Sequence, residues 1–130
     1  MMGRLAAVFA LAVLVVTGSG CGDDGDTSAP SDCTPIEDGA FTLVAENLAW
    51  NVDCLIVPVG TEITFTVENR DRSVPHNLSV TGASGNHKTD VESGPTVQTL
   101  VYEAGEPGKH LFVCDPHAGT MRGDLWVEEA

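Results

Sequence analysis

With 130 residues and 42% hydrophobic content, the chain is long enough for one packed core and too short for a second lobe. Its charge is one-sided: 19 acidic side chains against six basic ones give a net −13. Such a surface repels phosphate backbones and anionic headgroups, which excludes nucleic acid and anionic lipid as ligands. It either attracts a basic protein partner or serves solubility alone, since the acids are spread along the chain.

Residues 1–20 open with Arg4, continue as an apolar run from Leu5 to Val16 and end in Thr17-Gly18-Ser19-Gly20, the pattern of a secretory signal. The run is shorter than the about 20 residues a membrane span needs. Its removal takes away one base and no acid, leaving five bases against 19 acids. Cys21 follows, then Gly22 and a polar stretch to Asp32. Small residues before a cysteine and an acidic tether after it resemble the lipobox of a bacterial lipoprotein, with Gly18 where that pattern usually has an aliphatic residue. The resemblance implies an acylated Cys21, a tether over residues 21–39 and a protein anchored at the outer face of the cell membrane. The alternative is ordinary cleavage nearby, which leaves Cys21 as a spare thiol on a secreted or periplasmic protein.

From residue 40 to residue 130 a single domain is expected, and its signals are those of strands. Thr61 to Glu68 alternates, with Ile63, Phe65 and Val67 on one face and Thr64, Thr66 and Glu68 on the other, as a half-buried strand does. Further strands are predicted at Phe41 to Ala49, Asp53 to Val57, Asn77 to Val80, Val97 to Glu103, Lys109 to Cys114 and Asp124 to Glu128. Gly and Pro clusters punctuate them, and no helical period appears after residue 20. Short strands at this spacing predict an all-β, antiparallel Greek-key sandwich of about seven to eight strands. Trp50 reads as core, whereas Trp126 alternates with Leu125 and Val127, so one of those two faces leaves the core. The longest connection, Thr81 to Gly94, holds His87 and reads as a mobile, solvated loop.

Near the C-terminus, Cys114-Asp115-Pro116-His117-Ala118-Gly119-Thr120-Met121 places a thiol, an imidazole and a thioether within eight residues. One thiolate, two imidazoles and a weak thioether form the set that selects copper for electron transfer, and His76 in Val74-Pro75-His76-Asn77-Leu78 supplies the second imidazole. Zinc accepts thiolate and imidazole but rarely thioether, so Met121 favours copper. A strand-end cysteine can also be a small buried hydrophobe, and a methionine beside a turn a gap-filler. His110 lies four strand residues, about 13 Å, from the thiolate and reads as a core or edge side chain.

Residues Val74 to Leu78 and His110 to Val127 resemble the two ligand-bearing stretches of the plastocyanin-like blue copper proteins, the cupredoxins. Val57 to Phe65 is similar to that family's strand-turn-strand, and Asn69-Arg70-Asp71 to its following turn. The likeness spans roughly residues 40 to 128. It implies one type 1 copper ion on His76, Cys114, His117 and Met121, with Asn77 tying the two ligand loops together and Pro75 shaping the backbone beside the metal. It implies a carrier of single electrons between redox proteins, monomeric and not an enzyme; no Ser/His/Asp set or phosphate-cradling loop points to catalysis. A copper delivery or buffering protein would use similar ligands, and a metal-free interaction domain is the third reading. With Cys21 and Cys114 so used, Cys33 and Cys54 remain, either as a disulfide in an oxidising compartment or as two buried thiols.

Overall fold

The computed structural model describes residues 29–82 and 86–129; the expected signal, Cys21 and the tether as far as residue 28 lie outside these. Twelve strands are present among the described residues: β1 (Thr34–Pro35), β2 (Ala40–Glu46), β3 (Ala49–Trp50), β4 (Cys54–Pro58), β5 (Thr61–Asn69), β6 (Pro75–His76), β7 (Ser79–Val80), β8 (His87–Lys88), β9 (Glu92–Ser93), β10 (Thr96–Ala104), β11 (Gly108–Val113) and β12 (Arg122–Glu128). Six of these, β2, β4, β5, β10, β11 and β12, have five or more residues and carry the sandwich; the rest are two-residue pieces.

One sheet runs β1-β4-β12-β11-β7-β8 and faces a second that runs β10-β5-β2-β3, while β6 and β9 pair separately. The core between them holds Leu43 of β2, Leu55 and Val57 of β4, Ile63, Phe65 and Val67 of β5, Phe112 of β11, and Leu125 and Val127 of β12. The alternation in β5 is realised as read: Ile63, Phe65 and Val67 are buried, with Glu62 and Thr64 in solvent. On β12 it is Trp126 that leaves the core, half-buried between Leu125 and Val127. Trp50 is half-buried as well, packed edge-on against Phe112 with ring centroids 6.5 Å apart.

Pairing within the sheets is mixed. β11–β12, β7–β11 and β5–β10 are antiparallel, but β2–β5, β4–β12 and β1–β4 are parallel. The chain passes from β2 to β5 through β4 in the opposite sheet, and that excursion restores its direction before the two strands meet.

Three segments depart from the strand predictions. Phe41 to Ala49 is not one strand, because the chain reverses at Asn47 and Leu48, both at positive φ (57° and 59°). That is the backbone of a tight two-residue hairpin turn, and it is stabilised from outside: the Asp71 carboxylate accepts from the N–H groups of Asn47 (2.7 Å) and Leu48 (3.0 Å). Asn77 to Val80 is shorter than expected, with Asn77 and Leu78 between β6 and β7. The connection after Thr81 contains β8 and β9, held by Thr89, whose N–H donates to Leu78 O (2.8 Å) and whose Oγ1 accepts from Leu78 N (2.9 Å). His87 sits there with its ring edge-on to Tyr102 at 5.2 Å.

The described fold extends ahead of residue 40. Cys33 is bonded to Cys54 with the Cα atoms 4.7 Å apart, Thr34 and Pro35 pair with Leu55 and Ile56, and Ile36 is buried. The bridge closes a loop across a sequence separation of 21. Replacing both cysteines by alanine should lower the unfolding free energy by about 3 kcal/mol through the lost loop constraint, read as a fall in the denaturant midpoint with a steeper slope, because the freed denatured chain exposes more surface.

Candidate metal centre

The ligand candidates come from two places. His76 ends β6, and Cys114 directly follows the last residue of β11. After Cys114 the chain enters a single 3-10 turn, Asp115–His117, with Pro116 inside it. Pro116 is suited to a helical first turn because its ring presets φ and it has no N–H to leave unpaired. The loop then closes on itself: His117 N–H donates to Cys114 O (3.0 Å), Met121 N–H to His117 O (2.8 Å) and Cys114 N–H to Met121 O (2.9 Å). These bonds bring Met121 back beside Cys114, and both side chains are fully buried with Ala45.

At the centre, Cys114 Sγ stands 3.6 Å from His76 Nδ1 and 3.6 Å from His117 Nδ1. The three donor atoms lie within 4.8 Å of one another. Two donors on one ion, at about 2.3 Å to sulfur and about 2.0 Å to nitrogen, stand about 3.6 Å apart when the angle between them is about 115°. The separations therefore fit a single ion, and a thiolate with two imidazoles and a thioether nearby is a soft set that fits copper. Burial pushes the Cys114 thiol up and the Asp115 carboxylate adds to this; the backbone N–H groups of Asn77 and His117 pull the other way without reversing it. A bound cation would displace that proton.

Exposure is uneven. His76, Cys114 and Met121 are shut in, whereas His117 is half-buried. The two rings cross at 66° with centroids 5.0 Å apart.

Asn77 is buried next to His76 and spans the two ligand stretches: its Oδ1 accepts from Asp115 N–H (2.8 Å) and its Nδ2 donates to Asp115 Oδ2 (2.7 Å). Pro75 is exposed and paired with Ser93. Neither other histidine approaches the centre: His110 Nε2 lies 2.9 Å from Glu106 O, and His87 packs on Tyr102.

One participant is not apparent from the motifs. Asp71 Oδ2 lies 2.7 Å from His76 Nε2, on the far side of the ring from Cys114. Desolvation pushes the Asp71 carboxyl up, but hydrogen bonds from His76 and from the backbone of Leu48 and Asn47 outweigh it and hold the group below its ordinary value. Asn69-Arg70-Asp71 reads from sequence as a turn. The available signal is general: a metal-binding histidine commonly gives its second N–H to a carboxylate, and Asp71 is the acid before His76.

Comparison with solved structures gives the same fold. The auracyanin of Roseiflexus castenholzii, solved after dithionite reduction, superposes with a TM-score of 0.62 at 21% identity over 69% of this chain and 97% of that one. Auracyanin A, a blue copper protein from the green thermophilic bacterium Chloroflexus aurantiacus, gives 0.61 at 19% identity, over 72% and 99%. A reduced amicyanin carrying one tryptophan-to-tyrosine substitution gives 0.53 at 27% identity, over 72% and 86%. No curated protein sequence matches significantly. The cupredoxin-like domain matches residues 6–127, nearly the whole chain, and in keeping with its sandwich and its Cys-His-His cluster the chain belongs to the cupredoxin-like domain family.

Proposed function

We propose that the protein carries single electrons between redox partners, using one copper ion that His76 Nδ1, Cys114 Sγ and His117 Nδ1 would hold, with the Met121 thioether as a weaker fourth donor. The observation that carries this reading is the convergence of one thiol and two Nδ1 atoms in a pocket closed except at His117. Bound there, copper would supply a one-electron couple between its cupric and cuprous forms. The chain supplies the rest. Hydrogen bonds within the Cys114–Met121 loop and between Asn77 and Asp115 fix the donors before any ion arrives, so little has to move when the charge changes. The sandwich excludes water from the thiolate, and His117, the least buried of the four donors, gives an electron its shortest route outward.

Support for carriage over delivery comes from burial. A delivery protein needs an exposed, exchangeable site, and here His76, Cys114 and Met121 are enclosed. A site with four protein donors leaves no position for a substrate, which favours a carrier over an oxidase. The excess of acids over bases suits a basic partner, an attraction that salt would screen. The lipobox-like residues before Cys21 support a lipid anchor at the outer face of the membrane, which acylation of Cys21 would provide.

Titration with copper(II) tests the reading. An intense visible band from thiolate-to-copper charge transfer is expected in the intact protein and should vanish in Cys114→Ser. A colourless adduct with an ordinary tetragonal copper resonance would refute the type 1 assignment.

A further inference from the structure

The geometry points to Asp71 as the positioning residue of the metal centre, a carboxylate that orients the His76 ring and favours the cupric over the cuprous form. This inference rests on the copper reading above. Its side chain is 12% exposed and that of His76 is fully enclosed, so the contact between them is shielded from bulk water. Two backbone N–H groups, from Asn47 and Leu48, already donate to the carboxylate, and an ionised carboxylate only accepts. Nε2 of His76, 2.7 Å from Oδ2, must therefore carry the ring proton. In the neutral ring the consequence falls on the other nitrogen: Nδ1 keeps its lone pair, 3.6 Å from Cys114 Sγ.

Asp71 is itself held in place. Its N–H donates to Asn69 Oδ1 (2.9 Å), and the Asn69 amide donates to Val74 O (2.9 Å) and Glu92 O (3.1 Å). Gly94 closes the assembly from the other side, where an added Cβ would run into Asp71 O and stand 2.7 Å from Asn69 Oδ1. The carboxylate thus has one position, and the imidazole is clamped between it and the metal pocket. A negative charge behind the ring makes Nδ1 a stronger donor, and the gain is larger toward the more highly charged ion.

Removing that charge at nearly constant shape is the test. In Asp71→Asn the ratio of copper(II) to copper(I) affinity should fall about tenfold, which is a rise of about 59 mV in a one-electron potential. Asp71→Ala, which also frees the ring, should weaken copper(II) binding about 10- to 100-fold, and Asp71→Glu should recover part of it. A purely structural role would alter stability and leave the affinity ratio alone, so an Asp71→Asn ratio within twofold of wild type overturns the inference. Copper-free wild type provides a second arm independent of any variant's folding. Nitrogen-15 NMR should show His76 protonated at Nε2 with slow exchange, and a proton on Nδ1 would overturn it. If wild type binds no copper with a charge-transfer band, the function reading fails, while the NMR arm still decides whether Asp71 holds His76.

Discussion

An alanine at position 123 should lower the unfolding free energy of the copper-free protein by about 2 to 3 kcal/mol, the upper part of the range for overpacking a close-packed site. Gly123 lies directly opposite Phe112 in the β11–β12 ladder. The Phe112 ring covers it so closely that an added Cβ would overlap the ring, with Cε1 and Cε2 each 2.7 Å away. Phe112 is fully buried, and its neighbours include Trp50. The ring must leave its place, and two residues on the chain is Cys114. Gly123→Ala is therefore expected to broaden or shift the visible band in addition to lowering the denaturant midpoint. Adding Phe112→Leu should return part of the lost stability, since a smaller side chain leaves room for the methyl group. Strict additivity of the two single losses in a double-mutant cycle would show that the overlap is not the cause.

Asn77→Ala is the second large effect, a loss of about 3 kcal/mol with a faster release of copper. Asn77 is 1% exposed. Deletion of its amide removes one bond from the Asp115 N–H and one to the Asp115 carboxylate. A hydrogen bond to a charged group contributes about 1.5 to 3 kcal/mol and a neutral one about 1. The same two bonds are a direct tie between the segment bearing His76 and the turn bearing His117, so their loss frees one ligand stretch to move against the other. Equilibrium unfolding measures the first consequence, and the rate of copper(I) transfer to a strong chelator the second. An unchanged transfer rate would mean that the loop's own backbone bonds suffice to hold it.

How much of this is legible in the sequence depends on whether the signal is local. The β5 strand is, because one buried face forces Ile63, Phe65 and Val67 into alternation. So is the Cys114–Met121 loop, since three donors lie on consecutive turns of one short segment. The reversal at Asn47 and Leu48 is not, because it falls within an apolar, strand-like run and is held by Asp71 from the far side of the turn after β5. The strands β8 and β9 carry no period at two residues each; what orders that segment is Thr89, reaching back to Leu78. Parallel pairing of β2 with β5 is hidden for a related reason: alternation tells which face is buried and nothing about the neighbour's direction. Asp71 shows the limit best, a turn residue by composition whose contact with His76 exists only once the chain has bent.

The β4–β12 ladder bears on how the protein reaches its working form. Cys54 to Pro58 pairs with Asp124 to Glu128 of β12, far along the sequence, so the middle of the six-stranded sheet cannot form until β12 is available. Contacts this distant along the chain are slow to make, placing such sandwiches among proteins that fold in milliseconds to seconds. His76 and Cys114 meet only after β11 has docked beside β7 and β12. Metal capture thus follows the docking of β12, and a truncated chain lacking β12 would keep all four donors in its sequence while having nowhere to assemble them.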